Sequence, residues 1–429
     1  MKKSFSKNSS LYSWLVVAVV VLSVHGVFAQ SAANLNRAVI TPSLANLQPG
    51  EEQKFKVVTL ATRLMAAALV EDVKWSVNDI PGGNEELGMI DPTGLYRAPA
   101  TVPKPCEIHI CAEAEGVANR YLWGTVLLGD RRPSYKTLQG WSEPIEDSPH
   151  LDNPHGIALD ADGNILIGDI GNNRVVRFSR DGEFLGDIGS GSGHKPGYFT
   201  EPRVVTVDAE GRIFVADRKS DRPRIQVFDR DGTFLRIFAE KGTGPGHILR
   251  AHGLGFGKDQ RLFVVDVDNM RVNVYEHSGE FLYTFGEDAM DPGQFNAPHG
   301  LALDKNGDVF VQSYYGPCQK LTPEGKFIAA FAHGDPPDGP VYFHSLASDR
   351  WGDVYLTIRA EQGYDDALQD DEGNRVSIMK YNNNGDYITS LSLSVSAHRE
   401  SWAVIDNDGL VYTLYRGKDQ MGVEILKEQ

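Results

Sequence analysis

Four copies of one short phrase, "NPHGIALD", "RAHGLGFG", "APHGLALD" and "YFHSLASD", place His155, His252, His299 and His344 at the same point, the residue that opens an apolar run. Each stands five residues before a position usually held by Asp; Asp160, Asp304 and Asp349 follow three of them, and Gly257 is the exception. Two further copies put Arg203 and Ser401 at that point, five residues before Asp208 and Asp406. Neutral imidazole is the commonest side-chain ligand for zinc and related ions, and three imidazoles with an open position make the usual catalytic zinc centre. One histidine before a strand reads as packing, but four in equivalent copies read as a set if the fold gathers them. His155, His252 and His344 belong to the first, third and fifth copies and are the expected metal ligands, with His299 the alternative. The competing reading is a hydrogen-bonded polar channel that holds water.

The elements that must position them repeat from Leu151 onward with a period of about 45–50 residues, the mark of a propeller. Each unit runs as an apolar strand, an Asp-Gly or Asn-Gly turn, a second apolar strand, a polar loop, a third strand, a Gly turn and an "EFL"-like strand. Six units of four strands predict an all-β fold with a closed six-bladed β-propeller over 151–429. The sixth unit shows only "SWAVID", "LVYTLYR" and "GVEILKE", and "YKTLQGW" from Tyr135 is the candidate fourth strand that closes the ring. First strands line the channel of a propeller, so the column of ring residues gathers at one mouth. The loops between second and third strands form the rim above it. His194, His247 and His277 fall outside the column, in turns, and are expected to be solvated; the Asp residues after each first strand are expected to close turns.

Phrases such as "PHGIALDADGNILIGDIGNNRVVRFSRDGEFL" resemble NHL-repeat propellers. The alternating "PHG" and "FHS" histidines further resemble peptidyl-α-hydroxyglycine α-amidating lyase, a secreted six-bladed propeller that holds zinc with three histidines and uses a tyrosine and two arginines. Starting that family's blade order at the second unit, the resemblance implies Arg218 in "FVADRKSDR" as the first arginine and Tyr315 in "VQSYYGPC" as the tyrosine, with Tyr314 its competitor. Arg359 in "YLTIRAEQ" falls at the second arginine. On this reading zinc is the cofactor, Tyr315, Arg218 and Arg359 are catalytic, and Arg203 and Tyr314 bind substrate. The chain departs from the family in the required one-blade rotation, in the added His299, and in an acidic insertion beside Arg359. Alternatives from other classes are a non-enzymatic propeller that binds a peptide, glycan or protein at its rim, and a calcium hydrolase of lactonase type. Asp365 to Glu372 could also attract calcium, but its spacing matches no recognised loop, and a solvated flap is expected.

The first 29 residues read as a signal peptide, with Lys2, Lys3 and Lys7, an apolar run from Trp14 to Leu22, and a small-residue cleavage site at Val27-Phe28-Ala29. The run is too short to span a bilayer, so the expectation is an exported protein, secreted or periplasmic, with no membrane span after cleavage. Residues 38–128 carry short alternating runs broken by Pro-Gly and Gly-Gly turns, which suits a small sandwich; "VKWSV" and "GLYRAPATVP" resemble bacterial immunoglobulin-like domains and place Trp75 in a core. Residues 129–150 read as a linker. A net charge of −16 argues against nucleic acid as a partner, since phosphate contacts need a basic surface. The expected partner is a small-molecule or peptide substrate, or a macromolecular ligand, at the channel mouth. Cys106 and Cys111 in "PCEIHIC" point to opposite faces of one strand, which disfavours a bridge between them.

Overall fold

The computed structural model describes residues 36–61, 66–129, 132–142, 150–218, 221–289, 291–314, 316–332, 342–359, 375–394, 398–417 and 420–429. The leader, Tyr315 and the acidic insertion Asp365 to Glu372 lie outside the described residues. The chain is all-β, and six four-stranded antiparallel sheets follow one another as blades of a propeller. Blade one runs from Pro154–Leu159 to Phe184–Ile188, blade two from Pro202–Val207 to Phe234–Phe238 and blade three from Ala251–Phe256 to Phe281–Phe285. Blade four runs from Pro298–Leu303 to Phe327–Phe331 and blade five from Tyr342–Ser348 to Tyr387–Ser392.

Burial explains the grammar of each unit. Second strands such as Ile165–Asp169 and Leu262–Asp266 are buried at every residue because a neighbouring blade covers each face. Outer strands such as Phe184–Ile188 alternate, with one face left to solvent. Between first and second strands the Asp carboxylate ties the turn: Asp160 accepts the amides of Asp162 and Asn164, each at 2.9 Å. Apolar clusters lie between successive blades, as where Phe214, Val227, Leu254 and Val264 join blades two and three.

The sixth sheet draws on both ends of the propeller. Tyr135–Ser142 pairs antiparallel with Met421–Glu428, which pairs with Val411–Gly417, which pairs with the inner strand His398–Ile405. Trp141 places its ring 4.9 Å from that of Phe178 in blade one. Inner strands of blades one and six are also neighbours, so the circle is closed.

Ahead of the propeller, three small sheets share one core built on Phe55, Val57, Tyr96, Ile108, Ile110 and Val126. Trp75 packs against this core but stays partly exposed, at its edge rather than inside it, where Gly94 leaves room for the indole. All three cysteines are buried, and none of them forms a disulfide. The strand Glu107–Ala114 brings Glu107 and His109 onto blade five. Glu107 takes an ion pair from Lys380 at 2.6 Å, and His109 Nε2 lies 3.0 Å from Asp353 Oδ2. The His109 ring stacks on Trp351 at 4.7 Å. Burial alone would lower the His109 pKa, but the carboxylates of Asp353 and Glu107 push it up to about 10. Burial would raise the Glu107 carboxyl, yet Lys380 and His109 hold it well below the usual range.

Removing one member of such a buried pair leaves a charge without its partner. Lys380→Met should therefore lower unfolding stability by roughly 3–5 kcal/mol and expose the first sheets to protease. His109, with its raised pKa, contributes stability fully below pH ~6.5 and loses it as pH rises through about 10. The stability difference between wild type and His109→Gln in urea melts should follow that course. A difference that grew with pH would contradict the assignment.

Candidate functional site

The geometry of the mouth begins with a break in strand pairing. In blade two the register jumps between Pro202 and Val204, in blade three between Ala251 and Gly253, and in blade four between Pro298 and Gly300. Blade five jumps between Phe343 and Ser345, and blade one between His155 and Ile157. A bulge of this kind re-aims a side chain out of the sheet alternation. In blades two to five the skipped residue is the ring residue itself: Arg203, His252, His299 or His344. In blade one His155 is followed by Gly156 at φ +69°, where an added Cβ would lie 2.5 Å from the Arg203 carbonyl oxygen.

Buried carboxylates at the ends of second strands hold the chain leading into these bulges. Asp217 Oδ1 accepts the amides of Thr200 and Glu201 at 3.0 and 2.8 Å. Asp266 Oδ1 accepts those of Leu249 and Arg250, both at 3.0 Å, and Asp169 Oδ1 that of Asp152 at 2.7 Å. Arg174 and Arg224 take the other oxygen of Asp169 and Asp217. This role was not foreseen, although "GD", "AD" and "VD" at matching places of the three units were its signal.

The result gathers four histidines. Ring centroids stand 5.8 Å apart for His155 and His252, 5.5 Å for His155 and His344, 3.9 Å for His252 and His299, and 5.2 Å for His299 and His344. They line a cavity of about 250 Å³ that continues down the channel between Leu254, Leu301 and Leu346. The sixth member differs from expectation. Ser401 stays paired with Tyr415, and blade six makes its register jump earlier, between His398 and Glu400. Trp402 fills the place instead, 4.3 Å from the His155 ring and 5.0 Å from that of His344.

All four imidazoles are neutral. Burial lowers each pKa, and the positive charge of Arg203 adds to the effect; His299 and His344 fall to about 3, and His155 and His252 lie well below their ordinary value. His299 Nδ1 lies 3.1 Å from the His344 carbonyl oxygen, which only accepts, so the proton sits on Nδ1 and Nε2 keeps its lone pair. His252 Nε2 accepts from Arg218 at 3.3 Å. Both nitrogens of buried His155, and Nδ1 of His252 and His344, have no hydrogen-bond partner. Orphaned, neutral imidazoles that converge are the donor chemistry of a zinc centre, and His155, His252 and His344, with His299 beside them, are the residues that would hold one. No three of their nitrogens lie within 4.8 Å of one another; among the described residues Glu107, His109 and Asp353 form the group that does, and Lys380 already serves as its cation. Binding an ion at the ring would thus draw the imidazoles together.

Of the other expected site residues, Tyr314 lies 5.7 Å from the His299 ring, and the Arg359 guanidinium lies over Tyr314 at 5.7 Å. Arg359 pairs with Glu400 at 3.4 Å, and Arg416 bonds the same carboxylate. Arg250 pairs with Asp268 at 2.7 Å. Glu400, Arg416, Arg250 and Trp402 belong to the mouth and were not foreseen. Among histidines expected to be solvated, His194 and His247 are exposed, but His277 is half-buried, with Nε2 2.7 Å from Asp208.

A strained, crowded glycine predicts its own test. Gly156→Ala should cost about 1–3 kcal/mol more than Gly116→Ala, because overpacking adds to the positive φ. Gly116 has φ +73° but open space around it, so equal melting-temperature losses in the two variants would refute the crowding described for Gly156.

Residues 151–178 match the NHL repeat and residues 201–285 match a family described as 6-bladed beta-propeller. NHL repeat-containing protein 3 of Homo sapiens is 40% identical over 103 residues, 21% of this chain and 28% of that protein. Peptidyl-glycine alpha-amidating monooxygenase of Mus musculus is 31% identical over 134 residues, 28% of this chain and 14% of that protein. The matches thus span under a third of these relatives' own lengths. A solved protein of unknown function from Bacteroides thetaiotaomicron superposes with a TM-score of 0.50 at 12% identity, covering 90% of this chain and 97% of that one. With its six sheets, the chain is a six-bladed β-propeller that carries an NHL-repeat match at residues 151–178 and is distantly similar to an amidating enzyme and to NHL-repeat proteins.

Proposed function

We propose that the protein is a secreted zinc-dependent lyase that splits a carbinolamide into an amide and an aldehyde. The observation that carries this reading is the set of buried, neutral histidines whose nitrogens include four without partners, at the mouth of the channel. The substrate class, a peptide ending in α-hydroxyglycine, is what the resemblance to the amidating lyase implies, and distant similarity to peptidyl-glycine alpha-amidating monooxygenase supports it. Zinc held by His155, His252 and His344 would supply Lewis-acid polarisation of the substrate oxygen.

The chain's own residues account for the rest. Arg359, held by Glu400, offers a planar donor to the substrate's terminal carboxylate, and Arg218 stands on the other side of the mouth against His252. Tyr314 stands beside His299 and under Arg359. It is the competitor of Tyr315 for the role of base. The tyrosine takes the hydroxyl proton as the carbonyl forms and the C–N bond breaks, and the leaving nitrogen takes a proton to become the amide. Trp402 shields the centre from water. The leading sheets serve as an immunoglobulin-like spacer docked on blade five.

Metal analysis of the purified full chain should find about one zinc per molecule, lost in a His252→Ala/His344→Ala double variant. Glyoxylate should be released from an α-hydroxyglycine peptide, and whichever of Tyr314→Phe and Tyr315→Phe removes the base should lower kcat by roughly 10²–10⁴-fold. Wild-type protein that neither holds nor takes up zinc would end the lyase reading in favour of a binding propeller.

A further inference from the structure

The arginines around the histidine ring are unequally answered. Arg250 has Asp268, and Arg359 and Arg416 share Glu400. On the opposite side of the six-bladed circle, blade two presents Arg203 and Arg218 with no carboxylate bonded to either among the described residues. Among the described residues the Arg218 guanidinium bonds the neutral ring of His252, at 3.3 Å, and the carboxylates of Glu201 and Asp268 attract it from longer range without bonding it. The buried Nε of Arg203 has no hydrogen-bond partner. Glu400 attracts Arg203 at longer range but is already bridged to two other arginines.

Arg203 occupies the bulge that in blades three, four and five carries a histidine, so its side chain is re-aimed as theirs are. Its charge is felt by His155, His252, His299 and His344 alike. Burial, and then the neighbouring Arg218, bring the Arg203 pKa down to about 9. Two adjacent guanidiniums, one of them largely desolvated and without a counter-ion, are an expensive arrangement for a folded protein to keep. A bound anion removes that cost, and the planar guanidinium fork suits a carboxylate.

We propose that Arg203 and Arg218 form a carboxylate subsite on blade two, separate from the Arg359–Arg416–Glu400 side on blades five and six. With cationic donors on both sides of one mouth, the substrate the site selects carries two carboxylates. For the carbinolamide reading on which this rests, one is the terminal carboxylate and the other is an acidic group on the acyl side.

Isothermal titration of the full chain with glutarate, adipate and butyrate, with and without added zinc, tests the subsite without calling on activity. The dicarboxylate of matching length should bind at least ~10-fold more tightly than butyrate. Arg203→Met should bring that preference down to within about twofold, while Arg203→Lys keeps part of it. Circular dichroism and melting temperature confirm that each variant is folded. Equal binding of mono- and dicarboxylates by wild type, or a preference untouched in Arg203→Met, would overturn the proposal. A dicarboxylate preference in a protein that takes up no zinc would retain the subsite while removing the lyase reading, so the two fail separately.

Discussion

One extra residue in the inner strand of each blade governs the channel mouth. An uninterrupted strand would send alternate side chains to the two blade interfaces and leave the channel lined by backbone. The bulge breaks that alternation and throws one side chain toward the axis, where its counterparts from other blades already point. In blades two to five the chemistry of the mouth depends on that displacement; in blade one His155 keeps its pairing with Gly168 and the residue skipped is Gly156. The second-strand carboxylates that tie the incoming loops, and the glycine after His155, are best understood as supports for it.

Gathering these side chains imposes its own electrostatics. Four imidazoles and nearby arginines cannot all be charged in so small a buried volume, and the imidazoles give up their protons first. The same crowding therefore makes the histidines good electron-pair donors and leaves the arginines as the carriers of positive charge. In a chain of net charge −16, the mouth is a local inversion of sign, a condition that draws anions inward against the surrounding surface.

Much of this was legible in the residues alone. The spacing from each ring residue to its Asp located the inner strands, and the recurrence of His155, His252 and His344 located a shared centre. What could not be read was anything that depends on where a bulge falls. Counting back from Asp406 reaches Ser401, but blade six shifts its register two residues earlier and delivers Trp402. Nor does sequence show which arginines are answered: Arg359 and Arg203 look alike until Glu400 is seen to bond only one of them. The buried pairing of Lys380 with Glu107 crosses 273 positions and two differently patterned regions, so no local signal announces it.

The sixth blade also has a consequence in time. Its outer strand, Tyr135–Ser142, emerges from the ribosome early, while its partner Met421–Glu428 follows about 280 residues later. At roughly 5–20 residues per second, that strand waits some tens of seconds for its complement. During the interval blade one has no neighbour on its closing side, and Phe178 and Trp141 are uncovered together. An open arc of blades is an apolar surface in search of a match, and a strand from a second nascent chain would serve as well as its own. Assembly of this ring is therefore a race between its own late strand and a neighbour's.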